Sequence, residues 1–227
     1  MKAVALCAHL DKALEFRRRL AAEPGVELRL VVCSRRWLRQ LLRIGAGRLL
    51  LTLRLWRRGT LAFTRRALDD RRTLWRLRAF DADVGLHATD VIYRSDTLAA
   101  FRLGILNAHI GLLPRYRGRS VMEWSLLQGD PTGVTVFFMD EGIDTGPRIV
   151  ARREVDLSRF RSVEAAKGHL FSLDVEMYVE ALARLRDPGF SPSPNGPGGR
   201  RHYVMSRLFA GVASRILGCD ASPERLD

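Results

Sequence analysis

Lysine is almost missing from this chain. Lys2, Lys12 and Lys167 are the only three, so thirty-five of the 38 basic residues are arginine, a skew that coding bias produces without any binding role. Cysteine is equally sparse: Cys7, Cys33 and Cys219 are odd in number and far apart, which excludes a disulfide framework and a Cys-x-x-Cys metal knuckle and fits a reducing compartment. Nowhere do about 18 uncharged apolar residues run together, so no transmembrane helix is expected. The apolar run from Ala3 to Ala8 is cut short by His9 and Asp11 and reads as a first strand rather than a secretory signal. His9, His87, His169 and His202 have no partners at ligand spacing, and no metal site is expected. No segment repeats.

What is present is a 227-residue chain with 47% hydrophobic and 28% charged residues. That composition describes a soluble globular protein with one core and room for a small appendage. A net charge of +13 invites a nucleic-acid reading. Yet twelve of those charges fall between residues 35 and 78, where fourteen arginines meet only Asp69 and Asp70. The excess belongs to one segment.

Short apolar runs alternate with helical patterns over the first two thirds, which predicts an α/β fold, a Rossmann-like and mostly parallel sheet covered by helices. Strands are expected at Val4–Cys7, Glu27–Cys33, Asp83–His87, Ile105–Asn107, Thr132–Met139 and Arg148–Val155. Helices are expected at Leu10–Ala22, Arg119–Gln128 and, as one long element, Ser162–Arg186. A Pro/Gly/Ser/Asn loop from Pro188 to Gly199 places a boundary, giving a domain at 1–189 and a tail at 190–227 with an extended piece at Arg200–Met205 and a helix at Ser206–Leu217.

Two stretches just past predicted strands carry the chemistry. In the first, Asn107-Ala108-His109 leads into Leu112-Leu113-Pro114-Arg115-Tyr116-Arg117-Gly118. Asn107 and His109, two apart in extended chain, project to one side, and in open α/β sheets ligands bind outside the carboxyl ends of strands. An asparagine amide can hold a developing oxyanion and histidine titrates near neutrality, so the pair suits acyl-type transfer. The second stretch, Met139 to Pro147, holds Asp140, Glu141 and Asp144 with two glycines. It reads either as a plain Asx turn or as the source of a carboxylate that orients His109.

Together these stretches resemble the folate-dependent formyltransferase family, whose members act on glycinamide ribonucleotide, methionyl-tRNA and nucleotide-linked amino sugars. The likeness rests on Asn107/His109, the Leu-Leu-Pro-x-x-x-Gly loop at Leu112–Gly118 and the Asp-x-x-x-Asp-x-Gly loop at Asp140–Gly146, and is strongest from about Asp83 to Val150. It implies transfer of a formyl group from 10-formyltetrahydrofolate to an amine, with no metal. By that likeness Asn107 hydrogen-bonds the formyl oxygen, His109 stabilises the oxyanion and moves protons, and Asp144 pairs with His109 and helps to deprotonate the amine. The pteridine would lie in an apolar slot made by Leu86, Val91, Ile92, Tyr93, Leu98 and Ile105, with the backbone of Glu141, Gly142 and Ile143 reading its edge. Leu86, Leu98 and Ile105 would be buried in any such sheet.

The chain also departs from that family. After the first strand it has Cys7-Ala8-His9-Leu10-Asp11-Lys12, without the glycines that cradle a phosphate, which weighs against glycinamide ribonucleotide as acceptor. Fewer than forty residues follow Gly189, against the β-barrel domain of about a hundred in methionyl-tRNA enzymes, which weighs against tRNA. Gly111 stands where the family commonly has serine. The stretch Asn195 to Tyr203 bears a slight likeness to a closing strand of sugar formyltransferases. The acceptor expected is therefore a small or nucleotide-linked (sugar) amine. Methionyl-tRNA, glycinamide ribonucleotide and water, the last making the protein a 10-formyltetrahydrofolate hydrolase, stay as alternatives, as does a tRNA- or membrane-binding protein with a vestigial site.

Between Arg35 and Arg78, leucines and tryptophans sort against arginines: Trp37, Leu38, Leu41 and Leu42 against Arg36, Arg39 and Arg43, then Leu50–Leu55 against Arg54, Arg57 and Arg58. The favoured reading is a surface helix with solvated arginines and leucines packed on the sheet. The alternatives are an anionic acceptor's collar or an interfacial helix pair on anionic lipid. Arg115, Arg117 and Arg119 flank the candidate loop and either meet an anionic acceptor or are simply solvated. A cytoplasmic enzyme, peripheral to the membrane at most, is the expected setting; the sequence leaves the oligomeric state open.

Overall fold

The computed structural model describes Met1–Cys219. It forms two compact units, one from Met1–Asn107 with Met139–Glu141 and one from Ala108–Phe138 with the chain from Gly142 onward.

In the first unit the elements follow as β1 (Lys2–Cys7), α1 (Leu10–Leu20), β2 (Glu27–Cys33), α2 (Trp37–Leu41), α3 (Ala46–Arg57), β3 (Leu61–Thr64), α4 (Arg71–Arg78), β4 (Val84–Ala88), α5 (Ser95–Leu98) and β5 (Gly104–His109). The strands are all parallel, in the order β3-β2-β1-β4-β5. β1 is flanked by strands on both sides and is buried from Ala3 to Cys7, which explains its unbroken apolar run. The core gathers Val4, Leu6, Leu77, Phe80, Phe101 and Ile105. α4 begins where the Asp70 carboxylate accepts the Arg72 N–H at 3.1 Å, an ordinary N-cap. The direction of crossover reverses between β1 and β4, where the Ala8 N–H donates to the Ala88 carbonyl at 2.8 Å. In a parallel sheet this reversal opens a crevice at the carboxyl ends, the edge on which β5 delivers Asn107.

The second unit comprises β6 (Tyr116–Gly118), α6 (Val121–Leu127), β7 (Thr132–Phe138), β8 (Arg148–Val155), α7 (Val163–Ser172), α8 (Asp174–Arg186), β9 (Ser193–Pro194), β10 (Arg200–His202) and α9 (Arg207–Cys219). β7, buried throughout, pairs antiparallel with β8, and β8 with the short β9. A separate parallel pair joins β10 to β6. α8 lies against β7 and β8, and α9 against α6. The residues after 189 thus supply β9, β10 and α9 to this unit.

The mostly parallel, helix-covered sheet matches the order of apolar runs in the sequence. Besides the short α5, β6 and β9, which were not expected, three differences matter most. Leu61–Thr64, inside the arginine-rich stretch, is a strand that extends the sheet beside β2, with Leu30 opposite Leu61; four residues between helical patterns are too few for alternation to stand out. The long helix expected at Ser162–Arg186 is two, broken at Leu173, where Asp174 turns its carboxylate onto the Val175 N–H and starts α8 afresh. The helix expected from Arg119 begins only at Val121, because Ser120 takes a left-handed φ of 52° and the Arg119 N–H is engaged by the His202 carbonyl.

Candidate active site

β5 places Asn107 and His109 two residues apart, on the same side of the strand. The half-buried Asn107 side chain makes no hydrogen bond among the described residues, so its amide N–H groups are uncommitted. His109 is 8% exposed and held from two directions: Nε2 lies 2.9 Å from the Tyr116 carbonyl, and Nδ1 lies 3.6 Å from Oδ2 of Asp144, itself 11% exposed. A carbonyl only accepts, so Nε2 carries a proton and Nδ1 is the nitrogen turned to the carboxylate.

Asp144 is fixed as tightly as the ring. It sits at a left-handed φ of 53°, a conformation non-glycine residues adopt mainly where the surroundings compel it. Its Oδ2 accepts the Gly118 N–H at 2.8 Å. The Asn195 amide donates to the carbonyls of Asp144 at 3.3 Å and Gly146 at 2.9 Å, clamping the turn from outside. Gly146 itself has no alternative, since a Cβ there would come within 1.7 Å of the Phe138 carbonyl.

The loop between His109 and Tyr116 is pinned by Thr135 of β7, fully buried. Its hydroxyl donates to the Gly111 carbonyl at 2.6 Å and accepts the Leu113 N–H at 3.2 Å. Tyr116 is buried too, stacked on His202 with ring centroids 5.3 Å apart, and its hydroxyl is held by Gln128 and Asp130. Burial, then the hydrogen bond and charge of Asp130, raise the phenol above its ordinary range, so it stays a neutral donor. β10 lies beside β6 with Arg200 opposite Tyr116, so the strand whose carbonyl holds the histidine is itself held by the tail.

Of the residues expected to form an apolar slot, Tyr93 and Ile105 lie in one cluster with Val4, Leu6 and Phe101, and Leu98 packs against it. Leu86 is fully buried within β4. Val91 and Ile92 stand apart, 45% and 68% exposed in the loop after β4. The Tyr93 hydroxyl bonds Nδ1 of His87 at 2.9 Å and the Thr89 hydroxyl at 3.2 Å, and burial pushes its phenol upward. The Glu141 carboxylate accepts the Ser95 N–H at 2.9 Å, fastening its loop to the start of α5, with Gly142 exposed and Ile143 half-buried beyond it.

The flanking arginines divide. Arg115 pairs with Asp130 at 2.8 Å, Arg117 donates to the Gly199 carbonyl at 2.7 Å, and Arg119 is exposed. The glycine-free loop after β1 is tied by Gln40, whose Oε1 accepts the Leu10 N–H at 2.8 Å and whose Nε2 donates to the Ala8 carbonyl at 3.2 Å. No cluster of His, Cys, Asp or Glu fit to hold a metal ion occurs among the described residues. Sequence reasoning missed Thr135, the Tyr116 carbonyl and the role of Asn195. Only Thr135 left a signal, a polar residue inside a run that is otherwise apolar on both faces.

Comparison with known proteins adds a family match: a family profile described as formyl transferase fits residues 4–182. A methionyl-tRNA formyltransferase of Pelobacter propionicus is 37% identical over 93 residues, 40% of this chain and 29% of that protein. Another, from a Synechococcus species, is 35% identical over 143 residues, 62% of this chain and 41% of that protein. The matched stretches thus span well under half the length of these relatives. Among solved structures, a 4-N formyltransferase from Francisella tularensis superposes with a TM-score of 0.66 at 14% identity, covering 95% of this chain and 87% of that one. The formyltransferase PseJ from Anoxybacillus kamchatkensis, solved with a UDP-linked formamido sugar and tetrahydrofolate, gives 0.57 at 17% identity, covering 96% and 98%. At such identities the likeness is one of fold.

Proposed function

The chain belongs to the formyl transferase family, and from that premise we propose that it moves a formyl group from 10-formyltetrahydrofolate to the nitrogen of a small or nucleotide-linked sugar amine. The observation that carries this reading is the pairing of His109 with Asp144, beside an Asn107 amide with no partner of its own among the described residues.

The donor supplies an activated formyl carbon. An attacking amine makes a C–N bond to that carbon, negative charge develops on the formyl oxygen, and collapse releases tetrahydrofolate. Asn107 donates N–H to the oxygen as it gains charge, the kind of contact whose loss typically costs on the order of 100–1,000-fold in rate. His109 and Asp144 take the proton that the amine sheds and return one to the departing folate nitrogen, so no net proton remains on the protein. The left-handed turn at Asp144 and the Asn195 clamp hold the carboxylate ready before substrate arrives.

One feature favours a sugar-type amine. The loop after β1 is knotted to Gln40 and has no glycine with which to cradle a ribonucleotide phosphate. The test is incubation with 10-formyltetrahydrofolate and a panel of nucleotide-linked amino sugars, glycinamide ribonucleotide and charged tRNA, following tetrahydrofolate release. Release that depends on an amino sugar is expected. Release at one rate with or without any amine would replace the proposal with folate hydrolysis, and release only with charged tRNA would move the acceptor.

A further inference from the structure

α3 buries only part of its apolar surface. Its buried residues are Thr52 and Leu55, whereas Leu49, Leu53 and Trp56, at i, i+4 and i+7, form with Leu50 a stripe along one flank, in which Leu49 is half-buried and the others are exposed. Leu50 is 59% exposed, Leu53 39% and Trp56 57%. α2 buries none of its residues, and Leu38 and the adjoining Leu42 are 48% and 86% exposed. The expectation that the leucines of the arginine-rich segment pack inward holds for Leu55, Leu61, Leu68, Leu74 and Leu77, which are buried, and fails for Leu38, Leu42, Leu50, Leu51 and Leu53, which are exposed. An apolar stripe of this extent on a surface helix is uncommon without something to cover it.

The border of the stripe is strongly basic. Arg35, Arg36, Arg39, Arg43, Arg48, Arg54, Arg57 and Arg58 fall within residues 35–58, which hold no acid at all. Among the described residues, Arg48 is the only one of the eight in an ion pair, with Asp11 at 2.6 Å. The other seven make no ion pair among the described residues.

We propose that the outward face of α2 and α3 is a docking surface for a bilayer rich in anionic phospholipid. A second copy of this chain would bring arginine against arginine. A nucleic acid would satisfy the guanidinium groups but leave Leu42, Leu50 and Trp56 in water. A lipid interface accommodates both: leucine and tryptophan enter the boundary between headgroups and acyl chains, and arginines reach back along their aliphatic stems to the phosphates. α3, at 12 residues, rises about 18 Å and is too short to span, so it lies in the plane of the surface. No helix among the described residues is long and apolar enough to cross a membrane.

Flotation of the whole protein with vesicles of phosphatidylcholine alone, and of phosphatidylcholine mixed with phosphatidylglycerol, tests the assignment. Binding is expected only to the mixed vesicles, reduced by salt and accompanied by a blue shift of tryptophan emission that Trp56→Phe diminishes. Leu50→Ser with Leu53→Ser, both exposed and therefore tolerated by the fold, should weaken binding at least about tenfold. Circular dichroism confirms that the doubly substituted protein is folded. Failure to bind mixed vesicles overturns the proposal, as does binding that survives the leucine changes, which would point to a purely electrostatic polyanion partner such as RNA. Concentration-dependent dimers abolished by the same changes, with no vesicle binding, would assign the face to self-association. None of these readouts depends on formyl transfer, so the outcome stands apart from the fate of the proposed reaction.

Discussion

Replacing Gly111 by alanine puts a methyl group where the site has no room. Its Cβ would stand 2.6 Å from Nε2 of His109, 2.8 Å from the Tyr116 carbonyl oxygen and 3.0 Å from Cδ2 of the same ring. Non-bonded contacts settle near 3.5 Å, so the ring and the carbonyl must part from the methyl by about 1 Å. The hydrogen bond between them, now 2.9 Å, does not survive that movement. Losing it costs about 0.5–1.5 kcal/mol and overpacking a further 1–3 kcal/mol, together about 1.5–4.5 kcal/mol. For a chain of this size that lowers Tm by roughly 3–18 °C. In the proposed reaction, a ring displaced by about 1 Å also costs on the order of 100-fold in kcat. Urea denaturation and turnover measured on the same protein decide the matter, with Gly168→Ala as control, since a Cβ at Gly168 meets nothing within 4 Å and that change should be neutral or mildly stabilising. A Gly111→Ala protein with wild-type midpoint and wild-type kcat refutes the geometry. Lost stability with unchanged kcat refutes only the claim that the ring must stay where it is.

Asn107→Ala should cut kcat by roughly 100–1,000-fold with an unchanged melting temperature, because in the proposed reaction the amide serves the transition state and not the fold; steady-state kinetics beside a thermal melt show whether the two separate. Thr135→Val strips the Gly111 carbonyl and the Leu113 N–H of their shared buried partner, at about 1–3 kcal/mol for each group left unsatisfied, seen as a lower urea midpoint. Asn195→Ala releases the Asp144 and Gly146 carbonyls and should lower kcat more than it changes KM, since it loosens the carboxylate without touching the donor; equal kcat in the two proteins would dismiss the clamp. His202, lowered from its ordinary 6.5 by burial and then by Arg200, makes stability depend on pH. Below about 6.5 the unfolded imidazole takes a proton that the folded one resists, so stability present at neutral pH is lost on acidification. His202→Phe, which keeps an aromatic ring beside Tyr116 and Trp124, should flatten that part of the profile in urea midpoints measured from pH 7 to pH 5.

Much of this was legible in the chain before any tertiary contact was known. Glu27–Cys33 and Arg148–Val155 are strands at the limits their apolar runs set, and Asn107, His109 and Asp144 stood out by spacing and by their place after strands. Such features depend on neighbours along the chain, on the two-residue and 3.6-residue periods that side-chain direction imposes. β3 and the break at Leu173 escaped because each turns on a few residues whose partners are distant, Leu30 for the one and the packing of two separate helices for the other.

The sequence by itself determined which side chains the proposed chemistry uses, because a strand end, an asparagine and a histidine two residues apart are local facts. Only the tertiary structure decided how that chemistry is held. It alone brought the Tyr116 carbonyl and Asp144 to opposite sides of one imidazole, set β10 behind β6, and made the missing Cβ of Gly111 a condition of the ring's position. It also left Leu50, Leu53 and Trp56 of α3 exposed, where helical periodicity had no way to distinguish a stripe facing a core from one facing outward. The physical reason is the same in each case: periodicity states which residues share a face, and packing alone states what that face meets.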